Sequence, residues 1–210
     1  MYRKFFKRGF DLCCSAVALV ALGPLLLVTA LLIRVESKGA ALYKQTRVGR
    51  DGCPFQIIKF RTMLRLEDSY SRDGAQLENY ARVTSIGRVL RKTSMDEIPQ
   101  LINVLRGEMS VVGPRPTLPY QVERYTPTQK QRLDARPGIT GLAQVSGRNK
   151  LTWEEKISFD LEYVENLTLD VDLRIILRTV GVLARGNDTH FVHHDILSEH
   201  KGDFRDDLTE

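Results

Sequence analysis

Leu12-Cys13-Cys14-Ser15-Ala16-Val17-Ala18-Leu19-Val20-Ala21-Leu22-Gly23-Pro24-Leu25-Leu26-Leu27-Val28-Thr29-Ala30-Leu31-Leu32-Ile33 is a run of 22 residues without a charge. It meets the length of a membrane helix, roughly 20 apolar residues. Gly23-Pro24 falls in its middle. Proline removes a backbone hydrogen bond and crowds the preceding turn, so a kink is expected at Pro24. Arg3, Lys4, Lys7 and Arg8 precede the run, and Arg34 and Lys38 follow it. Positive charge at both ends gives no orientation and lets both ends stay on one side. A kinked helix that dips into one leaflet and returns satisfies both observations; a tilted, kinked span is the alternative. A cleaved signal peptide fits poorly, because no small-x-small site follows and Arg34, Glu36 and Lys38 come at once. A buried core helix also fits poorly in a domain this small. Working outward, Tyr2, Phe5, Phe6 and Phe10 interleave with the first basic residues, a mixture suited to the lipid headgroup zone. The chain thus divides into a membrane-inserted unit (1–38), a folded domain (39–186) and a polar tail (187–210).

The 210 residues carry a net charge of +5 with both signs plentiful. That favours an anionic partner without choosing among nucleic acid, phospholipid and a phosphorylated substrate. Cys13 and Cys14 sit in the apolar run and Cys53 in a turn, so no disulfide framework or zinc spacing is present. A reducing, cytoplasmic setting follows.

Thr93-Ser94-Met95-Asp96-Glu97-Ile98-Pro99-Gln100-Leu101 places two adjacent carboxylates at a helix start. Ile98, Leu101, Ile102 and Leu105 follow at the spacing of one apolar helical face. Ser94 and Glu97 have capping-box spacing, though Pro99 shifts the register and makes Asp96 a second candidate cap. Either register puts both acids near the positive end of the helix dipole, which lowers their pKa. Anionic carboxylates there can attack an electrophile or hold a hard cation. Taken alone, simple capping explains the pair.

Ala41–Val48 and Phe55–Phe60 read as a hairpin turning at Arg50-Asp51-Gly52, with Lys59 and Arg61 on one face and Phe60 on the other. Residues 64–82 read as a polar loop or a short surface helix. Ile86, Val89 and Leu90 mark a short helix bearing Arg88, Arg91 and Lys92. Gly107 suits the C-cap of the helix that follows the acid pair. Val111-Val112 is a short strand, and Gly113-Pro114-Arg115-Pro116 a stiff loop that would hold Arg115 in place; a positioned guanidinium grips phosphate. A polar helix is expected around Thr128–Ala135. Arg136 and Arg148 bracket Gly138, Gly141 and Gly147, which would let the backbone approach a ligand or serve only a structural loop. Neither a Walker loop nor a dinucleotide fingerprint is present. Thr152-Trp153-Glu154-Glu155 is a capping box, and a last helix starts at Asp170-Val171-Asp172 with Leu173, Ile176, Leu177 and Val180 inward. It should end at Gly186-Asn187. His190, His193 and His194 in the tail read as surface residues.

One acid pair, many arginines and no serine, cysteine or histidine catalytic motif fit phosphoryl chemistry with a divalent metal. The amphiphilic N-terminus puts that chemistry at a membrane, so one substrate can be a lipid phosphate. A membrane-attached phosphohydrolase and a non-enzymatic adaptor for anionic lipid are the other classes that fit.

A resemblance sharpens this. Lys7-Arg8-Gly9-Phe10-Asp11, Pro24, Lys59-Phe60-Arg61-Thr62-Met63, Asp96-Glu97-Ile98-Pro99-Gln100-Leu101, Asn103 through Ser110, Gly113-Pro114-Arg115-Pro116, Arg136 through Val145 and Gly147-Arg148-Asn149 occur in collinear order over about residues 3–185. Together they resemble the bacterial sugar transferases, the monotopic phosphoglycosyl transferases in their small, PglC-like form. The resemblance implies transfer of a phospho-sugar from a UDP-sugar to undecaprenyl phosphate with release of UMP, as the first membrane step of glycoconjugate assembly. It implies Asp96 as nucleophile, Glu97 as a Mg2+ ligand, and Arg88, Arg115 and Arg148 as phosphate binders with Lys59 beside them. Arg136 and Gln144, in a matching segment, and Asp172, at the start of the last helix, complete the candidate substrate-binding set. It implies a re-entrant helix broken at a Ser-Pro pair, where this chain has Gly23-Pro24. A bacterial inner-membrane location with the folded domain on the cytoplasmic face follows, with membrane phospholipid as a partner and no nucleic acid. A homodimer is compatible with it, and small relatives lean to N-acetylated sugars. The expected fold is mixed α/β, mostly helical, with surface amphipathic helices around one small sheet made by the hairpin and the Val111-Val112 strand. No regular α/β alternation is visible, so a doubly wound sheet is not expected.

Overall fold

The apolar run folds as the middle of one long helix, α1 (Lys7–Glu36), with Pro24 inside it. The computed structural model describes residues 2–70, 77–78, 80–147 and 150–184. Arg148, residues 71–76, Gly186-Asn187 and the tail with its histidines lie outside them. It is mostly helical with little sheet, and among the described residues α1 is the one helix long and apolar enough to cross a membrane.

The rest of the chain holds α1 at both ends. Near its start Lys7, Asp11 and Ser15 are buried. Lys7 Nζ donates to Asp172 Oδ2 at 2.6 Å and to the Val112 carbonyl at 3.1 Å. Asp11 Oδ1 accepts from Ser110 Oγ and the Val111 amide. Near its end Ile33, Leu26 and Ala30 pack on Ala41, Phe60 and Leu90. Glu36 accepts from the Ser85 and Ile86 amides, satisfying donors at the start of α2 (Ser85–Thr93). Between these grips Val17, Val20, Leu27 and Leu31 are 62–81% exposed, an apolar surface that water does not favour.

The hairpin forms as read: β1 (Leu42–Val48) pairs antiparallel with β2 (Pro54–Phe60), Tyr43 opposite Lys59 and Arg47 opposite Phe55. α3 (Leu101–Arg106) ends at Gly107, whose φ of 86° is the left-handed C-cap that glycine favours. β3 (Ser110–Val112) follows. The single sheet expected from the sequence is not formed: β3 pairs parallel with β4 (Gly138–Thr140), apart from the hairpin. Three glycines explain the pairing. A Cβ on Gly138 would lie 2.1 Å from the Gly113 amide nitrogen, and one on Gly141 2.2 Å from the Gly113 carbonyl. These glycines bring two segments of backbone together, the structural alternative to a ligand cradle.

Short helices α4 (Pro119–Glu123), α5 (Pro127–Lys130) and α6 (Leu142–Ser146) link these pieces, and the polar helix expected to Ala135 continues α5 as a 3-10 turn, Gln131–Asp134. α7 (Trp153–Glu165) opens on the expected capping box, Thr152 N to Glu155 Oε2 at 2.7 Å and Glu155 N to Thr152 Oγ1 at 3.2 Å. α8 (Leu169–Ala184) closes the fold. Val112, Ala135, Tyr163, Val164 and Ile175 form the core beneath these helices. The inward face predicted for α8 is corrected in part: Ile176 packs against the core as expected, and the other three do not. Leu173, Leu177 and Val180 are 44–72% exposed, while Asp172 and Ile175 are buried and Thr179 bonds Thr140. Apolar spacing locates a stripe and does not say what covers it.

Candidate active site

α2 ends where Ser94 turns left-handed (φ 56°), and a 3-10 helix, Met95–Gln100, carries the acid pair before α3 begins. The predicted α-helical first turn is corrected here. Pro99 has no N–H to give the helix, and no Ser94 side-chain cap forms. Asn103 ties this turn to the hairpin. Its Oδ1 accepts from the Ile58 amide at 3.0 Å, and its Nδ2 donates to the Gln56 carbonyl and Glu108 at 2.7 Å each. β2 is thereby held so that Lys59 faces Glu97.

Glu97 Oε1 accepts from Lys59 Nζ at 2.6 Å and from Arg115 at 2.8 Å. Burial pushes the Glu97 carboxyl up, but Arg115 and Lys59 outweigh it and bring it down to about 2. Burial pushes Asp96 the other way, to about 6, assisted by the Glu97 charge and opposed by Lys59, Arg91 and Arg115. The helix-start expectation that both acids are lowered therefore holds for Glu97 and fails for Asp96. Lys59 is lowered by its own burial, with Glu97 acting against that.

The stiff loop does hold Arg115. Arg132 donates to the Arg115 carbonyl at 3.1 Å and pairs with the buried Asp160, while also bonding Tyr125. Arg88 is exposed on α2 and, among the described residues, is not one of the cations paired with the dyad. Arg91, one turn on, is the α2 cation whose charge acts on Asp96; it also donates to Thr62 Oγ1 at 2.8 Å. Gln144 sits on α6 with both amide atoms buried and without a partner among the described residues. Two candidates are placed elsewhere. Arg136 donates to the Gly107 carbonyl at 2.9 Å, beside Arg8 on Val104 and Leu105, and so satisfies the carbonyl end of α3. Asp172 is fully buried and takes Lys7, Tyr2 and Tyr163, anchoring α1 rather than facing the dyad.

Asn103 and Arg91 stand out in the sequence, one within a motif and one in a basic cluster, but neither is assigned a site role there, and Arg47 is passed over. Asn103 lies off the Ile98, Leu101, Ile102 and Leu105 stripe, so only its buried partners reveal it.

No group of three or more metal-ligating side chains lies together among the described residues. Mg2+ needs no such cage: one or two carboxylates with substrate phosphates and water suffice. Both ion pairs of Glu97 fall on Oε1, which leaves Oε2, with Asp96, as hard oxygen donors that fit this ion. Two carboxylates of opposite tendency, flanked by Lys59, Arg91 and Arg115, can bind phosphate and attack it.

The profile of the bacterial sugar transferase family matches residues 2–186, and the chain belongs to that family. It is a sugar transferase. It is 42% identical to the exopolysaccharide production protein ExoY of Rhizobium meliloti, covering 86% of this chain and 87% of that one. It is 46% identical to the UDP-glucose:undecaprenyl-phosphate glucose-1-phosphate transferase of Caulobacter vibrioides, over 84% of this chain and 69% of that one. It is 40% identical to the undecaprenyl-phosphate galactose phosphotransferase of Salmonella typhimurium, over 87% of this chain and 41% of that longer one.

Proposed function

We propose that the protein transfers a phospho-sugar from a UDP-sugar to undecaprenyl phosphate, giving undecaprenyl-diphosphate-sugar and UMP. The observation that carries the proposal is the division of the dyad: Glu97 is engaged by two cations, while Asp96 is desolvated and bonded to neither. A poorly solvated carboxylate is the better nucleophile of the two. An Asp96 oxygen attacks the phosphorus bearing the sugar, the phosphoanhydride breaks, and UMP leaves with the bond's electron pair. An oxygen of undecaprenyl phosphate then attacks the same phosphorus and frees the Asp96 carboxylate. Lys59 and Arg115 stabilise charge on the phosphoryl oxygens, which is the principal task in phosphoryl transfer. Mg2+, held by Glu97 with Asp96, would neutralise the diphosphate when bound.

The membrane reading rests on α1. One domain bonds Asp11 near its start and Glu36 near its end, which supports a helix that enters and leaves on the same side. A cytoplasmic nucleotide sugar and a lipid phosphate would then meet at the inner leaflet. Family membership leaves the phosphohydrolase and adaptor readings without support.

The test is UMP release from a panel of UDP-sugars in detergent with Mg2+, with and without undecaprenyl phosphate. UDP-glucose and UDP-galactose belong in the panel because two relatives are named for those sugars, beside the N-acetylated donors. Sustained release that needs the lipid and is lost in Asp96→Asn is expected. Sustained release without lipid would overturn the reading.

A further inference from the structure

Among the described residues Arg47 makes no ion pair with a carboxylate. It lies on the face of the hairpin that carries Lys59, since Tyr43 is opposite Lys59 and Arg47 is four residues further on. One guanidinium nitrogen donates to Gln45 Oε1 at 2.7 Å and the other reaches the Pro116 carbonyl at 3.4 Å. Its Nε is buried and has no partner among the described residues. Both accepting oxygens are neutral, and among the described residues no carboxylate pairs with it. Arg61 is the more deeply buried and also keeps an unpartnered Nε among the described residues, but it donates to the Ser37 and Lys38 carbonyls beyond the end of α1, which suits a cation.

The position of Arg47 says what could complete it. The end of β1 is bridged to the stiff loop: the Val48 amide bonds the Thr117 carbonyl at 2.9 Å and Arg47 reaches the Pro116 carbonyl, next in sequence to Arg115. Tyr43 shares the Arg47 face of β1, and Tyr120 lies on α4, which packs against β1; burial lowers the Arg47 pKa, Arg115 lowers it further, and Tyr43, Tyr120 and Glu97 act the other way. Tyr43 and Tyr120 are 47% and 40% exposed, giving two open aromatic rings near a half-buried cation. Phe60, on the opposite face of the hairpin, meets α1. The Arg47 face is thus turned from the helix that leads to lipid.

We propose that Arg47, with Tyr43 and Tyr120 at its rim, is the subsite for the nucleoside-monophosphate half of the donor. The guanidinium binds the phosphate that leaves as UMP, and a tyrosine ring stacks on the base. Arginine matches phosphate in two directions, and open aromatic faces bind bases by stacking. This rests on the transfer reading above and deepens it.

The probe is UMP itself, measured by equilibrium dialysis on the full-length protein in detergent, together with initial rates against donor and lipid. Arg47→Gln should weaken UMP binding and raise KM for the UDP-sugar by roughly tenfold, with KM for undecaprenyl phosphate unmoved. Tyr43→Ala, on an exposed residue, keeps the test decisive where Arg47→Gln fails to fold; it should weaken UMP about fivefold. Unchanged UMP affinity in a folded Arg47→Gln, or in Tyr43→Ala where that variant alone folds, overturns the subsite, as does a change confined to the lipid KM. Wild type that binds UMP but transfers nothing from any donor sinks the transfer reading and not the subsite. Wild-type turnover with indifferent variants does the reverse.

Discussion

Asp96 and Glu97 are neighbours in sequence whose environments push them apart. Glu97, brought down to about 2 by Arg115 and Lys59, stays ionised at any working pH. Asp96, raised to about 6, is ionised at neutral pH but only narrowly so. A nucleophile must be ionised, so kcat should fall about tenfold per pH unit below pH 6. In Glu97→Gln the raising charge is gone, and that acid limb should move to lower pH while the rate and its Mg2+ response both drop. An unmoved limb would detach it from Asp96. The raised pKa also carries a stability cost. Asp96 sheds its proton less readily in the fold than in the open chain, so stability declines as pH rises from about 4 to about 6 and is level above that. The penalty is of order 3 kcal/mol at most. Asp96→Asn should therefore abolish turnover and yet melt above wild type at pH 8 in chelator, the gap closing towards pH 4. A lower melting temperature at pH 8 would show that the carboxylate is satisfied in the fold.

At the scale of elements, what determines Glu97's partners is the joint between the hairpin and α3. Asn103→Ala would leave the Ile58 amide and the Gln56 carbonyl without their partner. Buried orphaned groups cost about 1–3 kcal/mol each, so denaturant unfolding should register a loss of roughly 2–4 kcal/mol. Turnover should fall too, because Lys59 is no longer held against Glu97; full kcat in a folded variant would sever that link. The elements legible in the sequence were those decided locally. The hairpin needed only alternation and Arg50-Asp51-Gly52, α7 only Thr152 and Glu155, and the end of α3 only Gly107. The acid dyad and Arg115 were legible as motifs, and the structure adds that Glu97 joins Arg115 to Lys59. The pairing of β3 with β4 was not legible, because it depends on Gly113 meeting Gly138 across 25 residues. Nor were the anchoring role of Asp172 or the carbonyl-capping role of Arg136, since each is defined by a distant partner. The outward Leu173, Leu177 and Val180 misled for another reason: periodicity says which residues share a face, and the identity of the surrounding solvent says which way it turns.

For the whole molecule the question is how one folded domain can hold both ends of an apolar helix. From Asp11 to Glu36 is 25 residues, about 37 Å of helix, against roughly 30 Å of hydrocarbon. A span would put the Asp11 contacts with Ser110 and Val111 on one side and the Glu36 contacts with Ser85 and Ile86 on the other. One domain cannot make both across a bilayer, because its polar backbone would have to cross hydrocarbon unsatisfied. Either the helix returns to the side it left or the contacts at one end are broken in the membrane. Single cysteines decide between these. In a background with Cys13, Cys14 and Cys53 replaced by serine, Arg3→Cys and Ser37→Cys mark the two ends. An impermeant maleimide should label both in inverted membrane vesicles and neither in intact spheroplasts. Labelling of one end from each side would make α1 a span and detach the domain from one end. The anchor at the start of α1 offers an independent check. Asp172→Ala leaves the buried Lys7 charge with Asp11 alone, at 3.5 Å, which should cost about 1.5–3 kcal/mol of stability. If a weakened anchor frees that end, Arg3→Cys should label faster in the double variant while Ser37→Cys keeps its rate. Equal rates at both ends would mean that Lys7–Asp172 does not hold the helix in place.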